Sequence, residues 1–361
     1  MYICYLIALI PVILGFVLWI RSPKINIQEW LVGSAVGFII SGIFHLFAVF
    51  GMTGDTQTVS GQINKATFHP QWVERYTRRT KVGKNSYVTT VHYRTHAEFW
   101  DINDTLNQCH KISKPYFDNI CQKFNSPPVT TSTHKGGFHS GDPNIYVSTP
   151  KTDYIFPTIG IESFENKVKA APSVFSYPKI DDKLNVYRYP SCEKWDRSNR
   201  ILGDAGTINI EEWDRMNTRL HRILRVNVII VFYKDKGSEY GNYQEARWFG
   251  AKKNDLVLCY GGPDGFDAKW VKVFGWTDKT LVKRNLETIL LKNSVDTGIL
   301  PKIEAEILQN YRMKDWSHFD YLTIEPPFFA YVILIVCMLL VQGSYWWWAY
   351  HNEFEDNIHG F

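Results

Sequence analysis

Three long apolar stretches interrupt an otherwise mixed pattern of hydrophobic and polar positions. They cover residues 2–20, 30–52 and 327–350, and none of them contains Lys, Arg, Asp or Glu. About twenty apolar residues are enough for a helix to cross the roughly 30 Å hydrocarbon layer of a bilayer. The pattern therefore predicts a multi-pass integral membrane protein with three transmembrane helices.

The first stretch has an alternative interpretation as a cleavable signal peptide. Its front end carries no Lys or Arg, and the short charged hinge at residues 21–29 leads directly into the second stretch. Both features favour a retained span over a signal peptide. Residues 1–52 are thus predicted to hold two transmembrane helices joined by a short loop.

Small and aromatic residues mark contacts within the spans. Gly33, Gly37 and Ser41 recur at a spacing that lets helix backbones approach closely, although spans are also generally rich in glycine. Near the end of the third span, a run of aromatic rings is typical of the headgroup level of a bilayer. The predicted membrane or partner contacts are Gly33, Gly37, Trp346, Trp347 and Trp348.

The charges of the short hinge predict the orientation. Arg21 and Lys24 outnumber Glu29 there, and an excess of Lys and Arg in a short loop favours the cytoplasmic side. The large domain between the second and third spans is then predicted to be extracytoplasmic. The acidic tail at residues 351–361 would be cytoplasmic.

Composition limits the classes of partner. Apolar residues make up 45% of the chain and its net charge is only +4, so no strong basic field predicts nucleic-acid binding. Aromatic residues make up 15%, which favours a protein–protein interface because interface cores are rich in these rings. Cys109 and Cys121 could form a disulfide in an oxidising compartment or remain two free thiols.

Residues 53–198 are predicted to form an irregular, β-rich subdomain. The segments 74–80 and 86–95 are rich in β-branched and aromatic residues and predict a β-hairpin. Repeated prolines in the rest of this part disfavour long helices. One short helix is predicted at 162–171 and one strand at 184–189.

A basic run lies in the predicted hairpin. It consists of Arg75, Arg78, Arg79, Lys81 and Lys84, with Tyr76 and Thr77 between the first two arginines. Such a run can lie against anionic headgroups, where each charge near the surface contributes about 1 kcal/mol. The solvated face of a strand and a contact with an acidic surface on a neighbouring copy are the other two interpretations.

Residues 199–320 change to a pattern of alternating helices and strands. Asn209, followed three residues later by Glu212, is a capping signature that predicts a helix start. The order α-β-α-β-β-α-α indicates a central sheet flanked by helices. The predicted helices are 211–224, 240–249, 279–291 and 300–311, and the predicted strands are 226–233, 255–260 and 268–276.

This part of the chain resembles the TPM domain family over roughly residues 199–292. The resemblance implies an α/β sandwich and hence an α+β fold class for the chain as a whole. The chain departs from the family at residues 274–277, where Phe-Gly-Trp-Thr replaces a Gly-rich segment, which puts any activity of that loop in doubt. The matching segments are Asp-Ala-Gly-Thr-Ile at 204–208, the strand at 227–232, the aromatic-Gly segment at 243–250 and Lys-Asn-Asp-Leu-Val-Leu at 253–258.

The resemblance implies two kinds of function. Some members of the family are phosphatases or bind a divalent cation through acidic residues near the strand ends, and the matching positions here are Asp204 and Asp255. Divalent cations prefer several oxygen ligands, so such a pair suits them. The alternative is that both aspartates shape turns, as short polar side chains often do.

The histidines add no further metal site. His92 and His96 lie four residues apart and would share one face of a strand, and His134 and His139 lie in a Gly-rich loop. Neither spacing is diagnostic of a metal centre.

These observations predict a membrane-anchored, non-catalytic scaffold or auxiliary protein that assembles through its TPM-like extramembrane domain. Its partners are predicted to be the lipid bilayer and either a second copy or another membrane protein, with no nucleic acid. The sequence predicts either no cofactor or a bound divalent cation. The alternative function is a membrane-bound, metal-assisted phosphatase of the TPM type.

Overall fold

The computed structural model of the chain describes residues 2–21, 27–84, 86–134, 137–171, 177, 180–181, 184–192, 194–197, 199–203 and 208–352. The described helices are α1 (Tyr2–Arg21), α2 (Ile27–Thr53), α3 (Lys114–Phe124), α4 (Lys167–Ala170), α5 (Ile210–Leu224), α6 (Glu239–Arg247), α7 (Thr280–Lys292), α8 (Leu300–Asn310) and α9 (Phe328–Asn352). The described strands are β1 (Gly54–His69), β2 (Trp72–Lys81), β3 (Tyr87–His96), β4 (Phe99–Asp104), β5 (Cys109–Ile112), β6 (Val129–Thr133), β7 (Phe138–Gly141), β8 (Asn144–Ser148), β9 (Pro157–Glu165), β10 (Ile201–Leu202), β11 (Asn227–Lys234), β12 (Asp255–Gly262) and β13 (Trp270–Gly275).

The chain divides into two compact units. We call the first the anchor unit; it consists of Met1–Thr56, Ser163–Pro178 and Asp315–Phe361. We call the second the body; it consists of Gln57–Glu162 and Lys179–Lys314.

Two helices of the anchor unit are long and apolar enough to cross a membrane. They cover Ile27–Thr53 and Phe328–His351, which correspond to the second and third predicted spans. The first predicted span is also helical, but its apolar stretch at Leu6–Arg21 is shorter. A third transmembrane helix therefore stays a prediction.

Gly33 allows α2 and α9 to approach closely. A Cβ atom added at Gly33 would lie 2.7 Å from Cζ2 of Trp346 and 2.7 Å from Cε1 of Tyr345, so a larger residue would push α9 away. Gln342 Nε2 donates a hydrogen bond to the Gly33 carbonyl oxygen at 3.0 Å. Tyr345 donates to the carbonyl oxygen of Glu29 at 2.9 Å. Both bonds satisfy polar groups that lipid could not.

The other predicted contact residues of the spans fall into two groups. Gly37 and Ser41 are buried on the same helix as Gly33. Trp347 and Trp348, in contrast, are 63% and 44% exposed. Trp346 thus packs within the anchor unit, whereas its two neighbours face outward from α9.

The first sheet of the body is antiparallel and carries one helix. Its strand order is β5-β4-β1-β8-β6, and β9 pairs with β1. Helix α3 packs on it because Phe117, Ile120 and Phe124 repeat at helical spacing and are buried. They meet Ile63 and Ile102 from the sheet in one apolar core.

The second sheet of the body is covered on both faces. Its order is β10-β11-β12-β13, with the first three strands parallel and β13 antiparallel. Residues 228–232 and 256–260 are fully buried, as expected for strands with a core on each side. Helices α5, α7 and α8 contribute to one core, and Trp248 with Tyr187 and Tyr189 contributes to the other.

The third sheet is small and largely exposed. It has the order β3-β2-β7, and β2 and β3 pair in register from Trp72↔His96 to Lys81↔Tyr87. This confirms the predicted hairpin. Each of its two long strands has ten residues, so the hairpin is about 30 Å long. We call residues 72–96 the arm.

Three local predictions were wrong or incomplete. Residues 162–171 are not one helix, because β9 extends to Glu165 and pairs with β1, and only the turn Lys167–Ala170 is helical. Residues 184–189 do not form a strand; they cross a face of the second sheet. Helix α3 was not predicted. The mixed α+β class is confirmed, whereas the specific TPM-like sandwich stays a prediction.

Candidate functional site

Asp255 lies buried at the amino end of β12. Its carboxylate accepts hydrogen bonds from Asn227 Nδ2 at 2.7 Å and from the Tyr189 hydroxyl at 2.8 Å. The backbone N–H of Lys252 donates a third at 2.9 Å. Burial raises the pKa of the Asp255 carboxyl, and these hydrogen bonds oppose that shift. Its oxygens are therefore already occupied by donors of the body.

The predicted partner of Asp255 in a metal site is Asp204, which lies outside the described residues. Strand β10 ends at Leu202, which pairs with Val231 of β11, and Val231 pairs in turn with Cys259 of β12. Asp255 lies four residues before Cys259, at the start of β12. Within the described ranges, no group of three or more His, Cys, Asp or Glu side chains could hold a metal ion. The divalent-cation site stays a prediction.

A second buried polar cluster surrounds Arg200. This side chain is only 2% exposed, and its guanidinium donates to Asp214 Oδ1 at 3.3 Å and to Ser60 Oγ at 2.7 Å. Nearby, Asn254 Nδ2 donates to the Thr58 carbonyl oxygen at 2.7 Å. Because Thr58 and Ser60 belong to β1, these bonds join the first sheet of the body to the second. Their buried position between the two sheets indicates a structural role.

His221 is the most strongly perturbed imidazole outside the anchor unit. Burial, together with the Arg200 and Arg225 charges, lowers its pKa from 6.5 to about 4. It lies in the last turn of α5, where a helix end normally favours the protonated imidazole by about 0.3–1 kcal/mol. Desolvation and the two arginines outweigh that effect, so His221 is neutral at neutral pH.

We expect the body to lose stability in acid because of His221. Below pH 6.5 the unfolded chain binds a proton at this residue and the folded body does not, so the free energy of unfolding should fall by about 3 kcal/mol as the pH drops to 4. Thermal unfolding of the full chain in detergent between pH 7.5 and 4 measures this loss. His221→Gln should remove it, while His139→Gln, at an exposed position, should not. Equal pH slopes for all three proteins would contradict the assignment.

The arm carries a concentration of positive charge. Residues 72–96 contain six Lys or Arg residues and one Glu, a net charge of +5, whereas the whole chain has a net charge of +4. Among the predicted contacts, Arg75 and Arg79 share one face of the arm and Arg78 lies on the opposite face, because successive residues of a strand alternate. All three side chains are exposed.

The root of the arm is held by stacked rings. The Trp72 ring stacks on His96 with centroids 4.4 Å apart and on His134 with centroids 4.7 Å apart. His69, whose ring centroid is 5.9 Å from that of His134, stacks in turn on Phe99 at 4.1 Å. This column fixes the position of the arm on the body. The predicted shared face of His92 and His96 is confirmed, since His92 lies opposite Tyr76 and His96 opposite Trp72.

The outer edge of β3 is open. Within the described residues β3 pairs with β2 alone, at the end of its sheet. Val82 donates its N–H to the Ser86 carbonyl oxygen at 2.9 Å, which identifies these two as a hydrogen-bonded pair. Since hydrogen-bonded and non-hydrogen-bonded pairs alternate along an antiparallel ladder, every second residue of β3 points its N–H and C=O away from β2. These residues are Tyr87, Thr89, Val91, Tyr93 and Thr95.

One prediction concerned two thiols, and some residues of the site were not predicted at all. Cys109 and Cys121 are both free thiols, so of the two alternatives the disulfide is absent from the structure. The sequence-based prediction did not include Arg200, Tyr189 or Asn227, because the residues around them do not indicate that these side chains are buried. For Asn227 one signal was available: it stands at the start of a buried strand, as Asp255 does, and the two residues pair in the sheet.

Comparison of the chain with known protein families, with curated proteins and with solved structures finds no match. The resemblance to the TPM family therefore stays a prediction.

Proposed function

We propose that the chain is a membrane-anchored, non-catalytic assembly protein that binds a second copy or another membrane protein through its extramembrane part. The open edge of β3 is the observation that carries this proposal. Edge strands normally contain Lys, Pro or a bulge, or are short, and these features prevent an exposed edge from pairing with a strand of another chain. β3 has ten residues without Pro or Lys, and Arg94 is its single Lys, Arg, Asp or Glu residue.

The binding mode that fits this edge is strand addition. An extended segment of a partner would pair with the outward N–H and C=O groups from Tyr87 to Thr95, and its alternate side chains would meet those of the arm. Two arms are unsuited to pair with each other, since each carries a net charge of +5. The added strand therefore comes from a different segment of a second copy or from another protein.

The anchor unit supplies the membrane part of the proposal. Two of its helices suit a bilayer, and the excess of Arg21 and Lys24 over Glu29 supports a cytoplasmic hinge and an extracytoplasmic body. Protease accessibility in intact cells or vesicles tests that orientation. The occupied oxygens of Asp255 support the non-catalytic part.

A proline at Thr89 tests strand addition. The Thr89 N–H points outward, so Thr89→Pro removes a donor from the edge and keeps the β2–β3 ladder. We expect wild type extracted in mild detergent to have an assembled mass, or a stoichiometric partner, and Thr89→Pro to lose at least tenfold in assembly affinity. Light scattering with detergent correction measures the mass.

The matched control is Thr89→Ala, which keeps the N–H and should assemble like wild type. Hydrogen exchange of the β2 amides shows whether the ladder survives in both variants. A wild-type protein that is strictly monomeric without a partner, or a Thr89→Pro variant that assembles normally, would refute the proposal.

A further inference from the structure

One face of the arm combines cations with aromatic and apolar side chains. Because directly paired residues of β2 and β3 share a face, Arg75 lies opposite Tyr93 and Lys81 opposite Tyr87. Tyr87, Val91 and Tyr93 are 50%, 43% and 57% exposed, and the three cations are exposed as well. We call Arg75, Arg79, Lys81, Tyr87, Val91 and Tyr93 the Arg–Tyr face.

The charges of this face are not neutralised by the protein. Within the described part of the chain, Arg75, Arg79 and Lys81 form no salt bridge, and the single carboxylate of the arm, on Glu74, lies on the opposite face and pairs with His96 at 2.9 Å. The Arg79 guanidinium lies 4.3 Å from the centroid of the Tyr87 ring. That contact orients the guanidinium without cancelling its charge.

We propose that the Arg–Tyr face binds the surface of a bilayer that contains acidic phospholipids. Clustered Lys and Arg residues are attracted to acidic headgroups, and Tyr rings prefer the headgroup level, where one end is apolar and the other is hydrated. The turn of the arm adds Val82, an apolar side chain that is 67% exposed. This inference rests on the proposed membrane anchoring, which keeps the chain at a lipid surface.

Other anionic partners fit the arm less well. A second arm repels the first by charge. Nucleic acid would gain from the three cations, but Val91 and the exposed Val82 have no anionic counterpart on a phosphate backbone, whereas both suit the boundary between headgroups and acyl chains. The backbone edge of β3 remains free for strand addition while the Arg–Tyr face is bound, because the edge N–H and C=O groups point within the plane of the sheet, whereas the side chains of the face project perpendicular to that plane.

Vesicle flotation tests the proposal. The full chain, reconstituted in nanodiscs of zwitterionic phosphatidylcholine, is mixed with separate vesicles, either of phosphatidylcholine alone or of phosphatidylcholine mixed with the acidic lipid phosphatidylglycerol. Binding should require the acidic lipid and should weaken as salt rises, because screening shortens the reach of the charges. Each cation contributes about fivefold, so Arg75→Gln/Arg79→Gln/Lys81→Gln should bind about a hundredfold more weakly.

The matched control is Arg222→Gln/Arg284→Gln/Lys292→Gln, which removes the same charge from exposed positions elsewhere on the body and should bind like wild type. Equal losses in both triple variants, or binding of phosphatidylcholine alone, would overturn the proposal. Preferential binding of a DNA or RNA oligonucleotide in the presence of acidic vesicles would overturn it as well. Assembled mass is measured on the same variants, so loss of lipid binding is distinguished from failure of strand addition.

Discussion

Replacing Arg200 by Met should lower the free energy of unfolding of the body by about 3–5 kcal/mol. The guanidinium is buried and donates to Asp214 and Ser60, which come from α5 and β1. Removing it leaves the Asp214 carboxylate, itself only 4% exposed, without its cation. A broken buried ion pair costs far more than the intact pair contributes, because the remaining charge stays desolvated.

Hydrogen exchange of the β11 and β12 amides in the full chain measures this loss, since these strands form the centre of the second sheet. Arg200→Met/Asp214→Leu should recover part of the stability, because it removes both charges together. A single variant that costs less than about 1 kcal/mol, or a double variant worse than the sum of both single changes, would show that this ion pair does not stabilise the body.

Asp255→Ala should destabilise the body by a similar or larger amount, about 3–6 kcal/mol. It removes the acceptor of three donors, the buried Asn227 amide, the Tyr189 hydroxyl and the Lys252 N–H, and the loss of an acceptor costs about 1–3 kcal/mol for each buried donor. Asp255→Asn should cost less, because the amide oxygen still accepts. Hydrogen exchange of the β11 and β12 amides measures the loss of stability in both variants. Asp278→Ala, at an exposed position, is the control.

The two Asp255 variants also separate the two predicted functions. If Asp255 has a structural role, the Asp255→Asn variant should be less stable than wild type but should keep any divalent-dependent hydrolysis that wild type shows. Phosphatase activity in the purified wild type that disappears in a stably folded Asp255→Asn variant would favour the alternative, the metal-assisted phosphatase. Asp255→Ala that unfolds like wild type would contradict the structural role.

Helices and strands that are specified by a few neighbouring residues were predicted well. Asn209 caps α5 as its position indicated, and its Oδ1 accepts from the N–H groups of Glu211 and Glu212. The Glu212 side chain, however, pairs with Arg215 instead of returning to the cap. The buried strands β11 and β12 followed from continuous apolar runs of strand length. The hairpin followed from β-branched residues flanking a turn.

Elements stabilised by distant segments were predicted poorly. Residues 184–189 have strand composition, yet the Tyr187 backbone exchanges hydrogen bonds with the Gln244 side chain instead of a neighbouring strand. Residues 162–165 continue β9 because β1 offers a partner more than ninety positions earlier in the sequence. Helix α3 begins at a Lys-Pro pair, and its three buried positions were hidden among polar residues.

Periodicity and composition act over a few neighbouring residues, and they were enough to locate the apolar helices, the buried strands and the basic hairpin. The roles of the polar side chains, in contrast, depend on the folded arrangement. Asp255 is occupied by Tyr189, Arg200 is paired across 140 positions with Ser60, and Arg75 and Arg79 are placed on one face beside Tyr87 and Tyr93. Whether a charge is buried and paired or exposed and free depends on which donors and acceptors the fold brings from distant parts of the chain, and that arrangement is not contained in local spacing.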